Sequence, residues 1–469
     1  MDSVLAKTLK ALFWKGGERA ASKILRLFVQ IALARFLAPE DFGVIAIVLV
    51  FITLADVFVL GGLNSALIQK DDADTIDYST VFWLSIALAA LFFMVIWFVS
   101  PIIANVYSNE QLVNLLRFVA IQFFPLAFNS VQVAKVSREL NFRPVFLSTL
   151  IAEIIAGIVA VCLALYGFGA WALAVQQILA AFFSCMVAAI LIRWTPSCLF
   201  SLKSAKELFA FGWKNAAIGL WGTVVSGVYN LSIGKAYSQA DLGYYSQGQR
   251  YPTAVSDMVT GTLSSVLLSS FSSVKHDVYK RRKLLYQALQ LFSLFMIPLL
   301  LFFFIFAEEI VVFLLTEKWI ACTPIFKVFC LGLIVKALSL IERQALLAIN
   351  CAQECLRAAT VTQVCRIVLL VPVLSFHCDI SWVAICWNFA AIIELVALSV
   401  VCAKTISITT KDQIRSILPA ILLSSLAAGA SYAAFSFCQN TLCAMAVYFI
   451  ALIMGYLCLY MRSGRKHNG

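Results

Sequence analysis

Apolar runs of about 20 residues recur from one end of this chain to the other, and that recurrence limits the fold more than any single motif. A helix of that length rises about 30 Å, the depth of a bilayer's hydrocarbon core, whereas a tilted barrel strand crosses in about 10 residues. Lipid offers backbone amides no hydrogen bonds, so such runs must be helices that satisfy themselves. The reading is an all-α polytopic integral membrane protein. Its spans lie at roughly 16–37, 42–68, 80–104, 112–134, 144–166, 169–192, 208–235, 242–272, 284–307, 322–348, 356–376, 380–403, 413–436 and 440–461, about 14 transmembrane helices. Composition agrees: 62% of the 469 residues are hydrophobic and 13% charged, a balance foreign to soluble chains of this length.

Loop charges test the count, because a missed helix would invert every later loop. One side collects Lys70, Lys135, Arg138, Arg143, Arg193, Lys203, Lys206, the run Lys275 to Lys283, Arg357, Lys404, Lys411, Arg415 and the tail Arg462, Arg465 and Lys466. The other side holds little beyond Arg35, Lys235 and Lys318. Both termini are therefore expected in the cytoplasm. The start of the chain, with Lys7 and Lys10 and no small-residue cleavage site, reads as no cleavable signal peptide. The net charge of +11 belongs mainly to loops facing anionic headgroups, so no nucleic-acid partner is expected. The 14 cysteines lie mostly within apolar spans and without metal-ligand spacing; Cys438 and Cys443 bracket the last external turn, where pairing stays open.

The first span carries charge where lipid tolerates none. With about 100° between residues, Lys15, Arg19, Lys23, Arg26 and Gln30 fall within roughly one quarter of the helix circumference. Each central charge facing lipid would cost at least roughly 2.5 kcal/mol, so the stripe should face water or an anionic ligand. For Lys15 and Arg19 the alternative is snorkelling to cytoplasmic headgroups.

The chain also repeats itself. ARFLAPEDFG, ending at Gly43, returns 200 residues later as GKAYSQADLG, ending at Gly243; Arg35 aligns with Lys235 and Asp41 with Asp241. Trp14-Lys15 is echoed by Trp213-Lys214. Six spans, an even number, separate the copies, so both halves have one orientation and are related by an axis along the membrane normal. Two six-helix lobes in pseudo-two-fold symmetry, 1–206 and 207–404, are expected around a central cavity, with two C-terminal helices and a basic tail at 405–469.

These stretches, with GGLNSALIQKDD, DYSTVFW and DLGYYSQGQRYP, resemble the bacterial Wzx-type polysaccharide and oligosaccharide flippases of the multidrug/oligosaccharidyl-lipid/polysaccharide superfamily. The resemblance covers nearly the whole chain, including Glu317, Lys318 and Trp319. It implies alternating access and movement of undecaprenyl-pyrophosphate-linked oligosaccharide from the cytoplasmic to the periplasmic leaflet of the bacterial inner membrane. It implies a cationic cavity, no cofactor beyond coupling to H+, Na+ or membrane potential, and as partners membrane lipid and the polysaccharide polymerase and chain-length machinery.

A lipid diphosphate carries about two negative charges, and crossing hydrocarbon requires replacing its water shell with paired charges and hydrogen bonds. Arg19, Lys23 and Arg26 suit it, Arg by forked contacts and Lys as a point charge. Lys214 and Arg250 extend the cationic set, and Gln30, Asn215, Ser226 and Asn230 offer uncharged polar contacts. The face carrying Asn215, Gly219, Gly222, Ser226, Tyr229 and Asn230 suits either sugar hydroxyls or close helix packing. Arg250 and Asp257 lie two turns apart, about 10 Å along the axis, with Pro252 between them as hinge or simple kink. Asp56, Glu153 and Asp257 are candidates for coupling or for pairing with the cations. Glu342 beside Arg343 reads as a solvated pair near a helix end, while Arg117, Lys336 and Arg366 could line the cavity.

Other classes fit less well. The acidic loop Asp71, Asp72, Asp74 and Asp77 resembles a glycosyltransferase DxD, but it falls on the cytoplasmic side beside loops too short to fold a catalytic domain, and reads as solvated. There is no Walker A sequence. A cation-coupled small-molecule antiporter of the same superfamily would want an acidic or apolar cavity, and a lipid II flippase is the nearer alternative. A non-transporting scaffold would leave the cationic stripe without a reason.

Overall fold

The computed structural model describes residues 21–467 apart from 61, 71 and 140, and only the backbone at 60, 65, 211–219, 262, 265, 410, 437 and 458–467. The chain forms two compact units, Met1–Ser246 and Gln247–Gly469. The first contains α1 (residues 21–36), α2 (Pro39–Leu60), α3 (Leu63–Gln69), α4 (Thr75–Tyr107), α5 (Gln111–Ala120), α6 (Phe123–Glu139), α7 (Arg143–Leu165), α8 (Ala170–Ile192), α9 (Leu202–Ala236) and the first two turns of α10 (Gln239–Ser273). The second contains the rest of α10, α11 (Val278–Ile305), α12 (Ala307–Leu315), a 3-10 turn (Glu317–Cys322), α13 (Thr323–Ala348), α14 (Ala352–Ser375), α15 (Ile380–Thr405), α16 (Thr410–Cys438) and α17 (Thr441–His467).

Ten described segments are long and apolar enough to cross a membrane. Their outward faces are apolar: Phe98 is 72% exposed and Leu291 70%, side chains that face hydrocarbon in a multi-pass protein. Among the described residues helices lie in each of the expected segments, with two differences of detail. The segments at 42–68 and 112–134 are each two helices. In the first, α2 ends at Leu60 and α3 begins at Leu63, next to Gly62, a residue of low helix propensity. The second breaks because Pro125 has no N–H for the Ile121 carbonyl and its ring clashes there. Between the ninth and tenth segments the chain adds α12 and the 3-10 turn, which buries Trp319 completely.

Within the acidic stretch Asp72 and Asp74 are exposed, as a solvated loop requires, while Asp74 and Asp77 also cap α4. Asp74 accepts from the Asp77 amide and Asp77 reaches back to the Asp74 amide. Asp77 is buried and takes a 2.7 Å bond from Lys70, which holds the Lys70 ammonium above its ordinary pKa. Arg138 donates to the Leu67 and Lys70 carbonyls, closing the end of α3.

Two prolines free carbonyls inside the bilayer, and in both cases a side chain from another helix takes over. Pro101 in α4 releases the Trp97 carbonyl; Arg117 of α5 donates Nη2 to it at 3.2 Å, donates Nε to Ser100 at 3.1 Å and sits 4.3 Å from the Trp97 ring centre. Pro298 in α11 releases the Leu294 carbonyl, which accepts from Tyr456 of α17. Arg117 is thus committed to a backbone repair. Replacing it by Met is expected to cost about 1–3 kcal/mol for the abandoned carbonyl. Adding Pro101→Ala restores an amide to that carbonyl, so the loss should shrink in the double variant; a thermal-unfolding cycle in detergent reads the coupling, and additive losses would refute it.

The repeated sequence folds twice into one device. At the start of α2, Asp41 accepts from the Ala38 amide; at the start of α10, Asp241 accepts from the amide and hydroxyl of Ser238, whose hydroxyl accepts from the Asp241 amide. The two helix starts also touch reciprocally. A β-carbon on Gly43 would overlap the Gln239 carbonyl oxygen and lie 2.7 Å from its carbon; one on Gly243 would overlap the Pro39 carbonyl oxygen and lie 2.8 Å from its carbon. The fifth residue of each helix thus rests on the first carbonyl of the other. The end of α4 closes on the same corner through Tyr107 to the Leu231 carbonyl at 2.9 Å, Lys235 to the Val106 carbonyl at 2.6 Å and Asn109 to Gln239 at 3.1 Å.

Candidate functional site

The polar face of α1 is fixed by α7 and α8. Val29 lies against Gly157, where an added β-carbon would come within 2.5 Å of its Cγ2, so the absence of a side chain lets the helices approach. One turn back along both helices, Arg26 Nε meets Glu153 Oε1 at 2.5 Å. Beyond it, Gln30 Nε2 donates to Gln176 Oε1 of α8 at 3.1 Å. The register Arg26–Glu153 and Val29–Gly157 therefore follows from one small residue and one acid spaced four apart on α7.

The pair is asymmetric. The Glu153 side chain is 5% exposed and that of Arg26 62%. A buried carboxylate needs a cation, and Arg26 answers it with one of five N–H donors, while most of its side chain stays exposed. Glu153 thus faces Arg26 as its counter-ion.

The other expected residues are spread out. Arg19 lies outside the described residues, as do the side chains of Lys214 and Asn215. Lys23 lies one turn before Arg26, half-buried and engaged with neighbours. Ser226 and Asn230 are half-buried on α9, which approaches α2 closely through Gly227 and Gly234, neither part of the expected polar face. Arg250 and Asp257 lie on α10 in the second unit, both half-buried and both engaged. Asp56 on α2 is half-buried, and its Oδ1 is shielded with no hydrogen-bond partner among the described residues.

One expectation is corrected. Glu342 and Arg343 do not pair: Glu342 is 1% exposed and accepts from Ser399 at 2.8 Å, whereas Arg343 pairs with Glu394 of α15. Successive helix positions point about 100° apart, so adjacent opposite charges serve different neighbours. Arg366 stacks 4.0 Å from the Trp387 ring centre and donates to Gln363 at 3.1 Å. Gln176 was not singled out, although an uncharged polar side chain inside an apolar span was signal enough.

Comparison with known proteins bears on the family and the fold. Over 334 residues, 70% of this chain and 67% of the relative, it is 26% identical to the succinoglycan biosynthesis transport protein ExoT of Rhizobium meliloti (strain 1021). It is 22% identical over 334 residues, again 70% of this chain and 67% of the relative, to the lipopolysaccharide biosynthesis protein WzxC of Escherichia coli (strain K12). Its fold resembles that of the lipid II flippase MurJ in an inward closed conformation, with a TM-score of 0.77 at 16% identity, over 95% of this chain and 98% of that one. A family model described as polysaccharide biosynthesis protein matches residues 32–324, and the chain belongs to that family.

Proposed function

We propose that this protein is a lipid-linked oligosaccharide flippase. It moves undecaprenyl-pyrophosphate-linked repeat units from the cytoplasmic to the periplasmic leaflet of the bacterial inner membrane, with both termini in the cytoplasm. Alternating access of the lobes 1–206 and 207–404 carries the movement, with 405–469 as an added helix pair. The observation that carries this reading is Arg26, held by a buried carboxylate yet 62% exposed. Such a guanidinium has its direction fixed and donors remaining for a diphosphate, which Lys23 one turn away approaches as a point charge. The family relationship supports a saccharide cargo.

Coupling falls to Asp56, whose shielded carboxyl oxygen lacks a partner among the described residues and suits a proton or Na+; membrane potential acting on the cationic helix is the other source of work. The polymerase and chain-length machinery would receive the product.

The test is leaflet location of the lipid-linked oligosaccharide in cells lacking this protein, read with an external probe that cannot cross the membrane. The expected result is accumulation on the cytoplasmic side, reversed by the intact protein. Undiminished external exposure, in cells with no second flippase, would overturn the proposal.

A further inference from the structure

In the second unit a partly open cavity of about 180 Å³ lies between α11, α13, α15 and α16. Its walls are aliphatic, among them Leu338, Leu395 and Ile417, and its polar groups are Glu342, Ser399 and Gln413. These three are 1%, 8% and 4% exposed. Ser399 is satisfied by donating to Glu342 Oε1 at 2.8 Å. Two further atoms, Glu342 Oε2 and Gln413 Nε2, are buried with no hydrogen-bond partner among the described residues. Two buried polar atoms without partners, on two residues that line one cavity, are costly unless something bonds to them.

We infer that this cavity binds the hydroxyl end of a membrane alcohol, a hydrocarbon chain terminating in one O–H. Gln413 Nε2 can only donate, and Glu342 Oε2 accepts when ionised and donates when protonated. A hydroxyl satisfies both in either state. An ammonium has no acceptor for the amide, and a carboxylate fits only while Glu342 is protonated, whereas the hydroxyl fits both states. Water matches the two atoms but not the volume: the space would take several molecules, each needing two or more partners, against aliphatic walls. An aliphatic cavity of about 150 Å³ stays dry and takes a small hydrocarbon, which is the behaviour these walls call for. Access is from lipid, since the lining residues Val396 and Ile414 are 56% and 61% exposed. The inference rests on this geometry and not on transport.

The experiment uses the full chain in lipid nanodiscs with a photoactivatable fatty alcohol, the same chain capped as its methyl ether, and a photoactivatable branched isoprenoid alcohol. Cross-links are mapped by mass spectrometry. We expect at least one alcohol to label α13, α15 or α16 around the cavity, about fivefold or more above the ether, and to be displaced by excess 1-octanol. The alcohol that labels names the source. Gln413→Leu alone, and Glu342→Leu with Gln413→Leu, should bring alcohol labelling down to the ether's level with the thermal transition retained; if the double variant does not fold, the single one decides. Equal labelling by alcohol and ether, labelling elsewhere, or labelling unmoved by Gln413→Leu would overturn the site.

Discussion

Gly43→Ala is expected to destabilise the folded protein and abolish export, and Gly243→Ala to do the same to a similar degree. Each new methyl would overlap a backbone carbonyl oxygen, Gln239 for the first and Pro39 for the second. A flexible side chain can yield to such a clash, but these oxygens belong to the first turns of α2 and α10, pinned by Asp41 and Asp241. Relief requires the helix starts to separate. Overpacking of this kind costs about 1–3 kcal/mol. The two substitutions act on one contact, so the double variant should lose clearly less than the sum of the single losses, because once the helices part the second methyl meets an open gap. Thermal unfolding of the four proteins, alongside surface glycan in cells, decides it. Wild-type stability and export in Gly43→Ala would show that the contact is not closed in the working protein, and strictly additive losses would show two independent sites.

That contact also shows what was legible in the sequence. The duplication of ARFLAPEDFG in GKAYSQADLG was readable, because caps and glycines are written in the residue types themselves. Their reciprocal contact was not, since a period of 200 residues says that two corners are alike and not that they meet. Span positions were equally plain, hydrophobic runs being a local property, but 112–134 was read as one span and the break before Pro125 was not foreseen, although the missing amide of a proline marks it. Partner choice among buried charges was harder. Arg26 with Glu153 joins residues 127 apart, and Glu342 turns away from its neighbour Arg343 towards Ser399. Both depend on the rotation of each helix about its own axis, which small-residue packing such as Val29 on Gly157 sets and composition does not. Arg117 illustrates the limit: its charge was legible, whereas its bond to the carbonyl freed by a proline on another helix was not.

Changing Lys23 and Arg26 together to Gln should leave the protein inserted and lower export by about two orders of magnitude. Two charge-assisted contacts to a diphosphate, each worth about 1.5–3 kcal/mol, supply at least that factor. Arg26, however, has two duties, and its loss also strands Glu153, whose side chain is 5% exposed. Breaking a fully buried pair costs about 3–5 kcal/mol; with Arg26 62% exposed the cost here is smaller, but it would confound a transport defect with a folding defect. Glu153→Gln resolves the ambiguity. Combined with Arg26→Gln it removes the stranded charge and lets the two amides bond, so thermal stability should return towards wild type while export stays lost. A structural arginine gives the opposite pattern, stability and export recovering together. Glu153→Gln alone keeps the cation but releases it from its anchor, and is expected to retain part of the export because the guanidinium remains charged. Full export in the stable Arg26→Gln, Glu153→Gln variant would remove Arg26 from the binding site and leave the diphosphate to the cations elsewhere on the chain.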